Sequence, residues 1–240
     1  MSARPGLEIE IHDTGVPQPL PICPYEFPAA GTTRRDGLVG AGGDFAPSTV
    51  IAAYRQGIFP WPHPEQERLW FSPDPRAVIE LGGLHVSRRL ARTIAQGRFR
   101  VTMNEAFDEV LDGCARREEG TWITASYREG YSQLHRLGWA HSFEVWGADG
   151  TLAGGLYGVA IGGLFGAESM FHRVSDASKI AMVALVQRAQ DAGAGLIDVQ
   201  VLNEHTRRMG AMEVPRREYL RRLAAERDRE VRWSAAPGRG

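Results

Sequence analysis

The stretch Gly195–Ala211, GLIDVQVLNEHTRRMGA, decides how the rest of the chain is read. Leu196 to Leu202 is apolar and β-branched except for Asp198 and Gln200, and it is bounded by Gly193-Ala194-Gly195 and by Asn203. That pattern predicts a buried strand. Side chains two apart on a strand share a face, so Asp198 and Gln200 stand together while Ile197, Val199 and Val201 face the other way. A carboxylate in a buried strand is costly unless a partner meets it. The pair is either a satisfied structural contact or the centre of a site, and pattern alone leaves both open.

Working outward, Asn203 caps a short helix that Gly210 stops, and a last helix runs from Arg216 to Arg227. On the other side, Ala177 to Gln190 is a helix, preceded by a strand over Gly163–Ala167 that leads into a second acid, Glu168, among Phe165, Met170 and Phe171. The string Q-x-x-G-x-G at Gln190–Gly195 matches the pyrophosphate loop of acetyl-CoA-dependent N-acetyltransferases. Such a loop needs a strand before it and a helix after it, and here the order is reversed. The glycines read instead as a helix C-cap and turn.

Further upstream, Ala140–Trp146 and Thr151–Ala160 form a hairpin about Ala148-Asp149-Gly150, with a helix over Ala125–Leu137 before it. Asn104 is expected to cap a helix through Arg116, Phe99–Thr102 and Arg76–Glu80 to be strands, and Ser87 to cap a helix bearing Arg88, Arg89 and Arg92. A helix opens at Ala46-Pro47-Ser48, runs through Tyr54–Arg55 and ends at Gly57. The aromatic, proline-rich segments Ile58–Pro62 and Leu69–Arg76 read as irregular loops, and residues 1–35 show no sustained period. The second loop marks a seam between a small N-terminal domain, 1–73, and the remainder, 74–240. The whole is an α/β (α+β) chain with a mostly antiparallel sheet flanked by helices.

The 240 residues suffice for a substantial core, and 43% hydrophobic with 24% charged residues is ordinary for a soluble protein. No apolar run reaches the roughly 18 residues that span a bilayer, and no signal-peptide pattern is evident. Two cysteines, Cys23 and Cys114, are too few for a disulfide framework and fit a reducing, cytoplasmic setting. No Cys, His or Asp set at metal-ligand spacing surrounds His172. Net charge is −1, but 27 of the 28 basic residues are Arg, clustered at Arg88–Arg100 and Arg207–Arg222. Solvated helix faces explain such clusters, as does a grip on phosphate. Tyr54, Phe59, Trp61, Trp70 and Trp122 sit on loops or loop edges, which beside an Arg-bearing helix suggests a surface that stacks bases.

The strings GLVGAGGDFAPSTVIAAYRQGIFPW, WFSPDPRAV, EEGTWIT, GLYGVAIGGLFGAESMF and LIDVQVLNEHTRRMGA together resemble the leucyl/phenylalanyl-tRNA–protein transferase family, from about Gly37 to Tyr219. The resemblance implies a C-terminal domain of N-acetyltransferase-like (GNAT-like) fold that uses aminoacyl-tRNA in place of acetyl-CoA. It implies transfer of Leu or Phe (Met less well) to the N-terminal Arg or Lys of acceptor proteins, marking them for degradation by the bacterial N-degron pathway. It implies no cofactor, no metal, no membrane and a monomer. By motif, Asp198 and Gln200 match the catalytic pair, and Glu168 a residue that helps to fix substrate. Tyr54, Trp61, Trp122 and Tyr131 match positions near the terminal adenosine. Leu156, Phe165, Met170, Leu185 and Ile197 match the lining of the amino-acid side-chain pocket, although alternation puts Ile197 opposite Asp198. Arg88 and Arg92 match a helix that contacts the tRNA acceptor stem. The chain departs from the family with Ala167 where Gly is usual, His172 where Ser is common, Leu156 where Met can occur, and Ala95 and Gln96 in place of basic residues. An acetyl-CoA-dependent N-acetyltransferase and a non-catalytic tRNA-binding module are the alternatives.

Overall fold

A computed structural model of the chain describes residues 6–32, 36–61, 68–116 and 123–234. Its strands are β1 (Glu10–Ile11), β2 (Leu38–Ala41), β3 (Phe59–Pro60), β4 (Leu69–Phe71), β5 (Arg76–Ile79), β6 (Arg100–Met103), β7 (Ala140–Trp146), β8 (Leu152–Ile161), β9 (Leu164–His172), β10 (Leu196–Gln200) and β11 (Met212–Val214). The helices are α1 (Pro47–Tyr54), α2 (Arg88–Ala95), α3 (Phe107–Ala115), α4 (Ala125–Arg136), α5 (Ala177–Ala192), α6 (Glu204–Arg208) and α7 (Arg216–Glu226). Eight strands make one sheet in the order β1-β6-β7-β8-β9-β10-β5-β11, and β2-β4-β3 make a small second one. Only the β1–β6 and β9–β10 pairs of the large sheet are parallel, so the expectation of a mixed α/β chain with a mostly antiparallel sheet holds.

The centre of the sheet is covered on both sides, and every residue of β7, β8 and β10 is buried. Alternation along the strands sorts buried side chains into two apolar clusters. One contains Leu164, Leu196, Val159 and Tyr157 with α1, α3 and α4, and the other Phe165, Ile197, Ala160 and Leu156 with α5. Helix α5 is buried around most of its circumference, as a helix apolar on all sides must be. The first cluster also takes in Phe45, Tyr54, Phe59 and Trp70. The segment around the small sheet therefore shares a core with the large one.

Several local expectations are corrected. The two proline-rich aromatic segments are not wholly irregular: Phe59 and Pro60 pair with Phe71 and Trp70 in β3 and β4. Pro60 is tolerated there because β3 is an edge strand. Tyr54, Phe59 and Trp70 are core residues, 0–2% exposed, while Trp61 remains 43% exposed. Trp122 lies outside the described residues. Asn104 does not cap α3. It sits at φ +66, bonding the His12 carbonyl and the Ser142 N–H. The buried carboxylate of Glu144 instead accepts the N–H groups of Glu105 and Ala106 at 3.4 and 3.5 Å, meeting the helix start from a neighbouring strand. The basic cluster at Arg207–Arg222 is largely committed to internal pairs. Arg216 is buried and donates to the Ser72 carbonyl, and Arg221 and Arg222 pair with Glu218. Among the described residues no helix is long and apolar enough to cross a membrane.

Candidate active site

β10 pairs with β9 only from Leu196 to Asp198, against Leu164 to Gly166, and is bulged against β5 between Asp198 and Gln200. The strand ends two residues earlier than its composition predicts. Gln200 takes a left-handed φ of +64, and the Val201 N–H closes a three-residue turn on the Val199 carbonyl at 2.7 Å. A non-glycine residue held there costs on the order of 1–3 kcal/mol and persists only where its surroundings impose it. The imposing group is Asp198, whose Oδ1 accepts the Gln200 N–H at 2.8 Å. Beyond this turn β9 continues to His172 while β10 departs, and a cleft opens between them. Its volume is 410 Å3, with Ala167, Glu168, Met170, Val199 and Thr206 in its wall.

Asp198 is fully buried, and it is satisfied from four directions. Arg76 donates to it through Nε at 2.8 Å and Nη2 at 2.6 Å, and the Tyr219 hydroxyl donates at 2.8 Å, alongside the Gln200 N–H. The guanidinium of Arg76 lies 4.6 Å from the Phe59 ring centre and 4.4 Å from that of Tyr219, and its Nη1 donates to the Gly57 carbonyl at 3.0 Å. Burial works against the Arg76 charge, but the Asp198 carboxylate outweighs it and holds the group protonated. The forked geometry is what a planar guanidinium offers a carboxylate.

Gln200 faces a different set. Its Nε2 donates to the Tyr54 hydroxyl at 3.0 Å and to Glu168 Oε2 at 3.2 Å, while Tyr54 and Tyr131 both donate to Glu168 Oε1. Tyr131 stacks on Tyr127 at 4.1 Å, fixing its ring. Gly166 lets Tyr54 lie flat against β9, since a Cβ there would come within 2.5 Å of the ring. Burial pushes the Glu168 carboxyl above its ordinary range, and the hydrogen bonds from Tyr131, Tyr54 and Gln200 only partly offset that. Burial, then the Glu168 charge, holds the Tyr54 and Tyr131 hydroxyls well above theirs, so both are donors. Glu168 is thus a carboxyl bound by neutral donors at the wall of a cleft, with its pKa raised by burial.

Five of the residues singled out in the sequence, Asp198, Gln200, Glu168, Tyr54 and Tyr131, therefore meet at one place. Leu156, Phe165, Leu185 and Ile197 meet on the opposite face of the sheet, each 0% exposed in a single apolar cluster, with Met170 half-buried at the cleft wall. Ile197 does face away from Asp198, as alternation requires. Trp61 packs edge-on against Phe71 at 5.7 Å. Arg88 and Arg92 are exposed on α2. Arg76, Tyr219 and Tyr127 were not anticipated. A buried Asp demands a cation, but nothing local nominates Arg76 among 27 arginines. A larger cavity, 600 Å3, lies elsewhere, between Trp139, His141 and the C-terminal segment, and holds none of these residues.

Comparison with known proteins gives the family. Residues 78–224 match the family model described as leucyl/phenylalanyl-tRNA protein transferase, and residues 43–74 match its N-terminal domain. The chain belongs to the leucyl/phenylalanyl-tRNA protein transferase family. It is 50% identical over 202 residues to the leucyl/phenylalanyl-tRNA–protein transferase of Anaeromyxobacter dehalogenans strain 2CP-C, covering 82% of this chain and 86% of that one. It is 49% identical to the protein of that name from Klebsiella pneumoniae strain 342, covering 85% and 87%. To that from Escherichia coli O139:H28 it is 50% identical, covering 83% and 85%. Among solved structures, L-PGS from Bacillus licheniformis is similar with a TM-score of 0.37 at 11% identity, over 55% of this chain and 46% of that one. Within the family assignment, the glycines before β10 are accounted for structurally. They follow α5 and precede a strand, with Gly193 at φ +71 as the helix C-cap, so they form no phosphate cradle.

Proposed function

We propose that this member of the family moves leucine or phenylalanine, and methionine less well, from aminoacyl-tRNA to the N-terminal Arg or Lys of acceptor proteins. In that reading the acceptor α-amine attacks the ester carbonyl, the bond to the terminal adenosine hydroxyl breaks, and an amide forms. An ester is exchanged for an amide, so the reaction is downhill without a nucleotide triphosphate. The α-amine has an ordinary pKa of about 7.7–8.0, so part of it is already neutral near pH 7. What the protein supplies is position and a destination for the proton.

The observation that carries this reading is the hydrogen-bonded set of Gln200, Tyr54, Tyr131 and Glu168, which reaches the cleft between β9 and β10 through Glu168. Gln200 and Glu168 hold the incoming amine, and Glu168 accepts its proton. Asp198, which the family resemblance gives as half of a catalytic pair with Gln200, is enclosed by Arg76 and Tyr219, and in this reading it is a positioning residue that acts through the Gln200 backbone. By the family resemblance Tyr54, Trp61, Tyr131 and Trp122 belong to the part of the site near the terminal adenosine, and the apolar set around Met170 takes the side chain, where a polar amino acid is disfavoured by desolvation. The methyl of Ala167, 8% exposed, stands in the same wall. Arg88 and Arg92 contact the acceptor stem. The chain acts in the cytoplasm as a monomer, divided at residues 73/74, and its products enter the bacterial N-degron pathway.

The test is transfer of labelled Leu or Phe from charged tRNA to a peptide beginning with Arg, with and without acetyl-CoA. Transfer that ignores acetyl-CoA is expected. Absence of transfer from any charged tRNA would overturn the reading.

A further inference from the structure

Beside the cleft lies a second cavity of 460 Å3. His172, Ser178 and His205 line both, so the two are neighbours. The far wall of the second cavity carries His85, Ser87, Lys179 and Arg208. One carboxylate stands among its described lining residues, that of Asp176, and it is engaged by Lys179 at 2.8 Å and Arg89 at 3.6 Å. Arg208 is also paired, with Glu204 on its own helix. Nε2 of His205 is shut off from solvent and has no hydrogen-bond partner among the described residues. Burial and then the charges of Lys179, His172 and Arg208 hold the ring below its ordinary range, so the field at His205 is positive. Such a set suits an anion: an ammonium and a guanidinium supply charge, and imidazole N–H and serine O–H donate. A cation would be repelled, and an apolar ligand would leave the His205 nitrogen unsatisfied.

The position narrows the anion. The cavity adjoins the cleft that holds Glu168 at these shared residues, and Ser87 and Leu90 also line it, at the start of α2, the helix with Arg88 and Arg92 exposed. We propose that the second cavity is a phosphate site that grips the polynucleotide backbone of the charged tRNA just before its terminal adenosine. It joins the cleft to the basic helix, so a single strand runs from one to the other with a charged contact between. The inference rests on the function proposed above.

The experiment compares three donors: aminoacyl-adenosine without phosphate, the aminoacylated trinucleotide C-C-A, and charged tRNA. The variants are Lys179→Gln and Arg208→Gln, both at the protein surface. Loss of one charged phosphate contact is expected to raise KM for the trinucleotide and for tRNA about fivefold to tenfold. Both kcat and KM for aminoacyl-adenosine are expected to stay within about twofold, a change worth under 0.5 kcal/mol. In parallel, histidine-ring NMR of the full chain reads binding without turnover, with the C-C-A trinucleotide shifting the His205 signals and raising its pKa. The proposal is overturned if KM is unchanged for all donors or rises equally for aminoacyl-adenosine. It is also overturned if inorganic phosphate or coenzyme A moves the His205 signals and the trinucleotide does not. Wild-type protein that binds the trinucleotide at His205 but transfers nothing would count against the transferase reading and leave the phosphate site standing.

Discussion

Asp198 and Glu168 are two buried carboxylates a few ångströms from one glutamine, and they are held in opposite ways. Asp198 has a guanidinium fork and a tyrosine hydroxyl, and it is sealed from the cleft. Glu168 has two tyrosine hydroxyls and an amide, with no cation against it among the described residues, and it lines the cleft. A carboxylate gripped by the fork of a buried arginine is locked in place. One surrounded by neutral donors in a dry place can change its charge within an accessible pH range. The same side-chain chemistry is thereby divided into a fixed anchor and an exchangeable group, by environment alone. Gln200 joins them, with its backbone N–H on Asp198 and its amide on Glu168.

The comparison can be broken most forcefully at Arg76. Replacing it by Met leaves Asp198 charged, buried and without its cation, so we expect a loss of about 3–5 kcal/mol in unfolding free energy. Chemical denaturation at neutral pH checks this, and a variant as stable as wild type would show that Asp198 does not depend on the fork. Glu168→Gln tests the other half. The isosteric amide keeps the packing but cannot take a proton. Transfer is expected to fall about 10²-fold or more while the melting temperature holds or rises, since a desolvated charge is removed.

The pH dependence sharpens the distinction further. Because Glu168 is raised from an ordinary 4.5, it binds more protons in the folded than in the unfolded chain. Its contribution to stability is present at low pH and is lost as pH rises from about that ordinary value through the raised one. The rate has the opposite sign, since kcat/KM falls as pH drops through the folded value and the acceptor becomes protonated. Tyr54→Phe removes an O–H that stabilises the carboxylate, so this acid limb is expected to move to higher pH. Tyr219→Phe removes a comparable bond to Asp198. It should cost only about 1 kcal/mol of stability and leave the limb where it was, because the bond it removes is to Asp198 and not to Glu168. A limb that moves in Tyr219→Phe and not in Tyr54→Phe would reverse the two roles.

Much of the site was legible in the residues. Alternation in Leu196–Leu202 announced a buried polar pair, and Glu168 among large apolar residues announced a second acid. The reversed order around Gln190–Gly195 excluded a phosphate loop. The misreadings share a cause. Asn104 has the composition of a cap, and Phe59–Pro60 and Leu69–Phe71 have that of loops, yet sheet pairing and a distant Glu144 determine what those backbones do. Tyr54 reads as a loop-edge aromatic, but it is packed under α4 and against Gly166, both far off in sequence.

By itself, then, the sequence determined element types, the faces they bury and the family, because periodicity and local motifs carry that information. It also determined that Asp198 must have a partner, since no buried carboxylate stands unpaired at tolerable cost. Only the tertiary structure decided that the partner is Arg76, 122 residues away, and that the turn at Gln200 parts β10 from β9 to open the cleft. Those outcomes follow from strand order and register, which bring together residues that no local pattern relates.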